Sequence, residues 1–197
     1  MLTKDVDLLV YEPGLFKLWR IDHQQRGKGG DGAINGTAFS AAGADFVNAK
    51  VQAGDVLYLA SIDGLIDGCY EIVEVVSATQ LTVSVVRGDD AEPPIPVGAG
   101  SSLIWRISTF APQRALAERM LLDRLELTDT SLAALNAKSV QRLGLTMIAA
   151  ALAVIFEAMI QQDGDEKTLD RKKDIYQQTL ESAVIRLHLE ADTTGDG

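Results

Sequence analysis

A single cysteine and two histidines limit what this chain of 197 residues can do by thiol or imidazole chemistry. One cysteine, Cys69, can form neither an intrachain disulfide nor a zinc site built from several thiolates. It lies in the apolar run GCYEIVEVV, where we expect a buried, unreactive thiol. His23 and His188 lie near opposite ends of the chain, and no pattern of carboxylates or hydroxyls predicts a catalytic triad around either. We therefore expect solvated structural histidines and no catalytic, cofactor-binding or metal-binding residues.

Positive charge is also scarce. The chain has 18 Lys and Arg against 28 Asp and Glu, a net charge of −10. Residues 1–111 hold 8 basic against 14 acidic side chains, and residues 112–197 hold 10 against 14, so neither half is basic. Sequence-independent binding of nucleic acid needs a basic surface and is disfavoured. An acidic wall past which DNA slides is compatible with the same charge.

The N-terminus lacks the features of a secretory signal. Asp5 and Asp7 lie where a signal peptide needs a basic segment followed by an apolar run. We expect the chain to be made and kept in the cytoplasm.

Residues 1–36 predict an N-terminal arm followed by a glycine-rich loop. The turn signal Pro13-Gly14 separates LLVY from LFKLW, which could form a short strand, a short helix or a docking arm. Trp19 in this arm is a candidate for a partner contact, because aromatic residues are enriched at interface hot spots. Residues 27–36, GKGGDGAING, are typical of a flexible loop. They do not match a phosphate-binding P-loop, since no Ser or Thr follows the lysine.

From residue 37 to 110 the pattern is that of β-structure. Short alternating runs rich in Val, Ile and Leu are separated by Gly, Asp and Ser, and they predict a small antiparallel barrel or sandwich of about five strands. Trp105, in LIWRI, should pack in its core. Residues 89–100, DDAEPPIPVGAG, should form a loop because proline cannot donate to a strand ladder. No Asp-Gly pair fits the spacing of a calcium-binding EF-hand, so we expect turns at residues 31–32, 63–64, 67–68, 163–164 and 196–197.

From residue 111 to 189 the period becomes helical and predicts a bundle of about three helices. The first runs from Pro112 to about Leu127, the second from an N-cap at Ser139 to about Gln162, and the third over residues 166–189. The expected apolar stripe of the first helix consists of Leu116, Met120 or Leu121, and Leu125 or Leu127. That of the third consists of Leu169, Tyr176, Leu180, Ala183, Val184 and Leu187. Residues 190–197 should form a flexible tail.

The stretch 143–160, LGLTMIAAALAVIFEAMI, carries one charge, Glu157, in eighteen residues. Such a run must be covered by lipid, by its own domain or by other subunits. The acid, the many alanines and the absence of a flanking basic cluster disfavour a membrane span. One helix on each side cannot cover a helix that is apolar all round, so we expect cover from other copies or from the β module. The central helix of a monomeric bundle packed on the β module is the alternative.

Two segments resemble proteins of tailed phages. The stretch GADFVNAKVQAGDVLYLASIDGLIDGCYEIVEVVSATQLTV resembles a β module of virion proteins in which F and V-x-A-G-D precede the hairpin Y-x-I-x-x-V-x-S-x-T-x-L-T-V. The Ala-rich helix, the acidic turn, the helix EKTLDRKKDIYQQTLESAVIRLHLE and the tail DTTGDG resemble the head-to-tail adaptors, or head-completion proteins, of long-tailed phages and prophages. The resemblance covers most of residues 37–197.

This resemblance implies a structural, non-enzymatic role in the neck of a virion. Such adaptors form rings, commonly twelve-fold, beneath the portal protein. They extend the DNA conduit, through which DNA passes without specific binding, and dock the next neck or stopper protein. Expected partners are therefore copies of the chain, the portal and the downstream neck protein, with no membrane. The alternatives are a stopper or tail-terminator protein and a small-molecule-binding or hydrolytic domain, which would need a pocket with convergent polar groups.

Overall fold

The computed structural model describes residues 2–18, 24–160 and 166–187. Trp19, His23, His188, the predicted turn at 163–164 and the predicted tail 190–197 lie outside this part of the chain. The chain folds into two compact units. Lys4–Thr109 form the barrel unit, and the residues from Phe110 onward, together with the first three residues, form the helical unit. The predicted class, α+β with an antiparallel β module and C-terminal helices, is confirmed. The described elements are α1 (Asp5–Tyr11), α2 (Leu15–Leu18), β1 (Gln25–Gly36), β2 (Ala38–Ala41), β3 (Val56–Ala60), β4 (Asp67–Ser77), β5 (Gln80–Ser84), β6 (Gly98–Ser108), α3 (Ala111–Arg124), α4 (Asp129–Ala133), α5 (Ala137–Ile160) and α6 (Glu166–Arg186).

The strands close into a barrel in the order β1-β2-β5-β4-β3-β6, with every neighbouring pair antiparallel. Closure removes the unpaired edges that an open sheet would present. One contiguous core fills the barrel. It contains Ile34, Phe39, Ala41, Phe46, Val51, Leu57, Leu59, Ile66, Ile72, Leu81, Val83, Leu103, Trp105 and Ile107.

The glycine-rich segment 27–36, predicted to be a loop, instead belongs to strand β1. The reason is Trp105, which lies in the barrel core as predicted, 3% exposed. Gly29 is its partner across the ladder, and a Cβ on Gly29 would come within 2.6 Å of the indole nitrogen. A Cβ on Gly27 would come within 2.9 Å of the same ring. The glycines thus let a large ring lie against the backbone of the opposite strand.

Asp31 connects this strand to the indole by a hydrogen bond. Its Oδ1 accepts from Trp105 Nε1 at 2.8 Å, and its Oδ2 accepts from the backbone N–H of Gly43 at 2.7 Å. These bonds, chiefly that from Trp105, lower the pKa of Asp31. The predicted turn at residues 31–32 is therefore wrong, because both residues belong to β1. Residues 67–68 likewise begin β4, while the pair at 63–64 lies in a turn, with Gly64 at φ +73°.

Loop 85–97 is organised by a buried ion pair. Arg87 donates to both oxygens of Glu71, at 2.6 and 3.1 Å, and also to the carbonyls of Asp90 and Glu92. Both side chains of the pair are almost fully buried. The predicted loop over 89–100 is found as far as residue 97, and β6 begins at Gly98.

The N-terminal arm forms the two short helices α1 and α2 within the barrel unit. Phe16 is buried, and its carbonyl accepts a hydrogen bond from Arg106 Nη2 of β6 at 2.7 Å. Lys17 pairs with Asp67 of β4 at 2.6 Å. The arm is thus attached to the outside of the strands by apolar and charged contacts.

The helical unit begins with Pro112 in the first turn of α3, as predicted. Thr128 caps α4, its hydroxyl accepting from the N–H of Ser131. The predicted N-cap at Ser139 is wrong, because α5 starts two residues earlier and Asn136 accepts from the Ser139 N–H at 2.8 Å. An amide oxygen at Asn136 performs the capping that was expected of the hydroxyl.

Neighbouring glycines of β1 test the role of Trp105. We expect Gly29→Ala to lower the free energy of unfolding by about 1–3 kcal/mol, since the new methyl group must displace the indole or the backbone. Gly30→Ala is the matched control, because a Cβ there meets no atom within 4 Å. Chemical denaturation followed by tryptophan fluorescence measures both. Equal losses for the two variants would show that the indole does not require the glycine.

Candidate interaction surface

Helix α5 is the centre of the helical unit. Among the described residues it is the one helix long and apolar enough to cross a membrane, and 67% of its most apolar window is buried in the structure. Its packed neighbours are α3 and α6. The run 143–160 is therefore covered largely by its own chain. The buried positions are Leu143, Thr146, Met147, Ile148, Ala149, Ala150, Ala151, Leu152, Ala153, Ile155, Phe156 and Met159.

Helix α3 covers only one side of α5, and its predicted apolar stripe is partly wrong. Ala117 and Leu121 are buried, whereas Leu116 and Met120 are 42% and 58% exposed. The buried face also includes Arg114, whose guanidinium donates to the backbone carbonyl of Thr3. The spacing of the apolar residues could not distinguish these two faces, because both carry apolar side chains one helical turn apart.

Helix α6 packs along α5 through the predicted stripe. Leu169 is fully buried, and Leu180, Val184 and Leu187 pack against the cluster around Leu143. The ring of Tyr176 stacks on Phe156 with centroids 5.8 Å apart. The ammonium of Lys172 lies 5.3 Å from the centroid of the same Phe156 ring. The opposite face of α6 is exposed to water and includes Ile175 and Ile185.

An apolar groove of about 520 Å³ remains between α3, α5 and α6. We call it the helical groove. Alanines and Val154 form much of its surface, and the exposed Leu116 and Met120 belong to it. Its lining is Leu116, Ala117, Met120, Leu121, Arg124, Ala150, Ala153, Val154, Glu157, Ala158, Gln177 and Leu180. A contiguous apolar surface of this kind, with a few polar groups around it, is typical of a binding site for another molecule.

Glu157, the one charge in the apolar run, lies among the lining residues of this groove. Its side chain is 53% exposed, and Oε2 is 3.5 Å from Lys173 Nζ on α6. A hydrogen bond from Lys173 to Asp170, with the charge of Glu157 as a further cause, raises the pKa of Lys173. An exposed pair of this type contributes little to stability. The acid is therefore hydrated, which explains how it is tolerated in the run.

The polar groups of the helical groove are suited to recognition. Arg124, Glu157 and Gln177 provide charge and hydrogen bonds, and none of the described lining residues is a hydroxyl or thiol nucleophile. Within the described residues no group of three or more His, Cys, Asp or Glu is placed to hold a metal ion. Cys69 is half-buried in β4, and burial raises its pKa to about 11, so it is a neutral thiol at physiological pH. This agrees with the predicted lack of reactivity, although the side chain is less buried than expected.

The aromatic contact between α5 and α6 should stabilise the helical unit. We expect Phe156→Ala to lower its free energy of unfolding by about 3–5 kcal/mol, since a fully buried ring and its stacking partner are lost. Leu145→Ala, at a half-exposed position of the same helix, is the control and should cost less than about 1 kcal/mol. Guanidinium unfolding followed by circular dichroism at 222 nm compares them. An equal shift in both variants would show that α6 is not attached through Phe156.

No protein-family model, no curated protein and no solved structure matches this chain. Its function must therefore be inferred from its own residues and contacts.

Proposed function

We propose that this chain is a structural subunit of a tailed-phage or prophage virion, a head-to-tail adaptor that forms a ring under the portal protein. In this role it extends the DNA conduit and docks the next neck protein. The observation that carries the proposal is the helical groove. The chain leaves an apolar surface open beside its longest helix, with Leu116 and Met120 exposed to water.

The groove favours association with other copies of the chain. Burying a large aliphatic side chain contributes about 1.5–3 kcal/mol, so leaving Leu116 and Met120 exposed is a cost that association removes. If different patches of neighbouring copies meet, the contact is heterologous, and such contacts close into rings when the rotation between copies permits. A ring is the assembly that a DNA conduit requires.

The charge of the chain fits a conduit wall. A net charge of −10 would repel the phosphate backbone and so prevent tight binding of the DNA that passes. The protein would then guide DNA without holding it. The resemblance of most of residues 37–197 to virion β modules and adaptor helices supports the same role.

A stopper or tail-terminator protein is the second candidate, and the closed β-barrel favours it. Such proteins are dominated by sheet, whereas here the unit from Phe110 onward contains four described helices, α3 to α6. That helical unit favours the adaptor. Position in the particle separates the two, because an adaptor contacts the portal directly and a tail terminator contacts the tail tube.

The groove variant Met120→Asp should impair assembly on the portal. We expect at least a 10-fold rise in the concentration needed for half-maximal binding to the portal encoded in the same genome, since a carboxylate replaces an apolar contact. Met120 is 58% exposed, so the fold should tolerate the change. Mass photometry of the portal mixed with the chain measures the complex.

Val76→Asp is the control, because Val76 is a similarly exposed apolar residue of the barrel. It should leave assembly unchanged. Failure of the unaltered chain to bind the portal, with binding to the tail tube instead, would overturn the adaptor role in favour of the second candidate.

A further inference from the structure

The turn between β3 and β4 holds two aliphatic side chains in water. Ile62 is 93% exposed and Leu65 is 86% exposed. We call residues 61–66 the barrel tip. Exposing apolar side chains to water costs free energy, and the barrel core does not enclose these two. They are suited to insertion into an apolar site on another molecule.

Hydrogen bonds within the barrel tip define its conformation. The backbone N–H of Ser61 donates to the carbonyl of Ile66 at 2.7 Å, and the N–H of Ile66 donates back to Ser61 Oγ at 3.0 Å. Asp63 Oδ1 accepts from the N–H of Leu65 at 3.1 Å. Gly64 adopts φ +73°, a conformation that glycine takes without strain. A turn organised in this way loses little conformational entropy on binding.

The barrel tip also carries a negative charge between its two aliphatic side chains. Hydrogen bonds from Ser61 and from the Leu65 backbone lower the pKa of Asp63, so its carboxylate is ionised at neutral pH. An anionic lipid surface would repel this carboxylate, and the barrel tip contains no basic residue to offset it. A partner for the barrel tip should therefore combine an apolar site with a cation.

The helical groove has both properties. It is apolar over most of its lining, and its volume of about 520 Å³ offers space for aliphatic side chains. Arg124, exposed in the last turn of α3, belongs to the lining and supplies a guanidinium. Glu157, the acid of the lining, already has Lys173 as a partner. Among the described residues that line the groove, Arg124 is the basic one, and its charge is opposite to that of Asp63 on the barrel tip.

We propose that the barrel tip of one copy docks into the helical groove of a second copy, with Ile62 and Leu65 in the groove and Asp63 facing Arg124. The inference rests on the proposed self-assembly and names the surfaces that meet. The two surfaces belong to different parts of the chain, so the contact is head-to-tail. Each copy then uses its barrel tip on one neighbour and its groove on the other.

Disulfide trapping between two variants tests this contact. In a Cys69→Ala background, one protein carries Leu65→Cys and the other carries Met120→Cys. Because each variant has one cysteine, a disulfide can form only between copies. After mixing and mild oxidation, we expect a mixed disulfide dimer on a non-reducing gel. Val76→Cys mixed with Met120→Cys is the control and should give little cross-linking.

The other pairings distinguish other contacts. Predominant cross-linking of Leu65→Cys to itself would show that two barrel tips meet, and predominant cross-linking of Met120→Cys to itself would show that two grooves meet. Either result overturns the proposal. Cross-linking of the mixture no greater than that of the Val76→Cys control overturns it as well.

The energetics of association provide a second readout. Leu65→Asp should raise the Kd of self-association about 10- to 100-fold, measured by sedimentation velocity, because an aliphatic side chain is no longer buried. Arg124→Gln should raise it several-fold and weaken its dependence on salt. Arg119→Gln is the matched control on the same helix, since Arg119 does not line the groove. Equal effects of the two arginine variants would contradict the pairing with Asp63.

This outcome is separable from that of the proposed function. A chain that assembles on the portal without the mixed disulfide keeps the adaptor role and loses the proposed contact. A chain that gives the mixed disulfide but does not bind the portal keeps the contact and loses the adaptor role.

Discussion

Helix α5 is apolar on nearly every face, and water permits such a helix only where other surfaces cover it. The organisation of the helical unit follows from this constraint. Helix α3 covers one side through Ala117 and Leu121, and α6 covers another through Leu169 and the stack of Tyr176 on Phe156. Two flanking helices leave a third direction partly open, and the helical groove lies there. The same constraint therefore also leaves the open groove on which the proposed assembly depends.

The barrel unit buries its apolar side chains in a different way. Its six strands close into a barrel that encloses one core. Ile62 and Leu65 on the barrel tip, like Leu116 and Met120 beside the helical groove, are exposed to water. In the proposed assembly, the barrel contributes the tip and the helical unit contributes the groove.

Sequence patterns predicted the elements whose cause is local. Three predicted patterns depend on neighbours a few residues away: the alternating runs of the β module, the apolar stripe that begins at Leu169 and the proline at the start of α3. The structure shows each of them in place. The errors concern contacts with distant parts of the chain. The five glycines of residues 27–36 predicted a loop. Three of them, Gly27, Gly29 and Gly32, instead lie against Trp105, which is more than seventy positions later in the chain.

The sequence by itself determined an α+β chain with a long helix that must be covered. It also determined the scarcity of cysteine and histidine and the acidic charge. These follow from composition and period, which act locally. Only the tertiary structure decided which face of α3 turns inward, where Glu157 meets water, and which apolar side chains remain outside the core. Both faces of α3 carry apolar residues at helical spacing. Which of the two faces is buried therefore depends on where α5 and α6 lie. Whether a side chain is buried depends on which surfaces pack against it, and a sequence pattern indicates only which side chains are suited to burial.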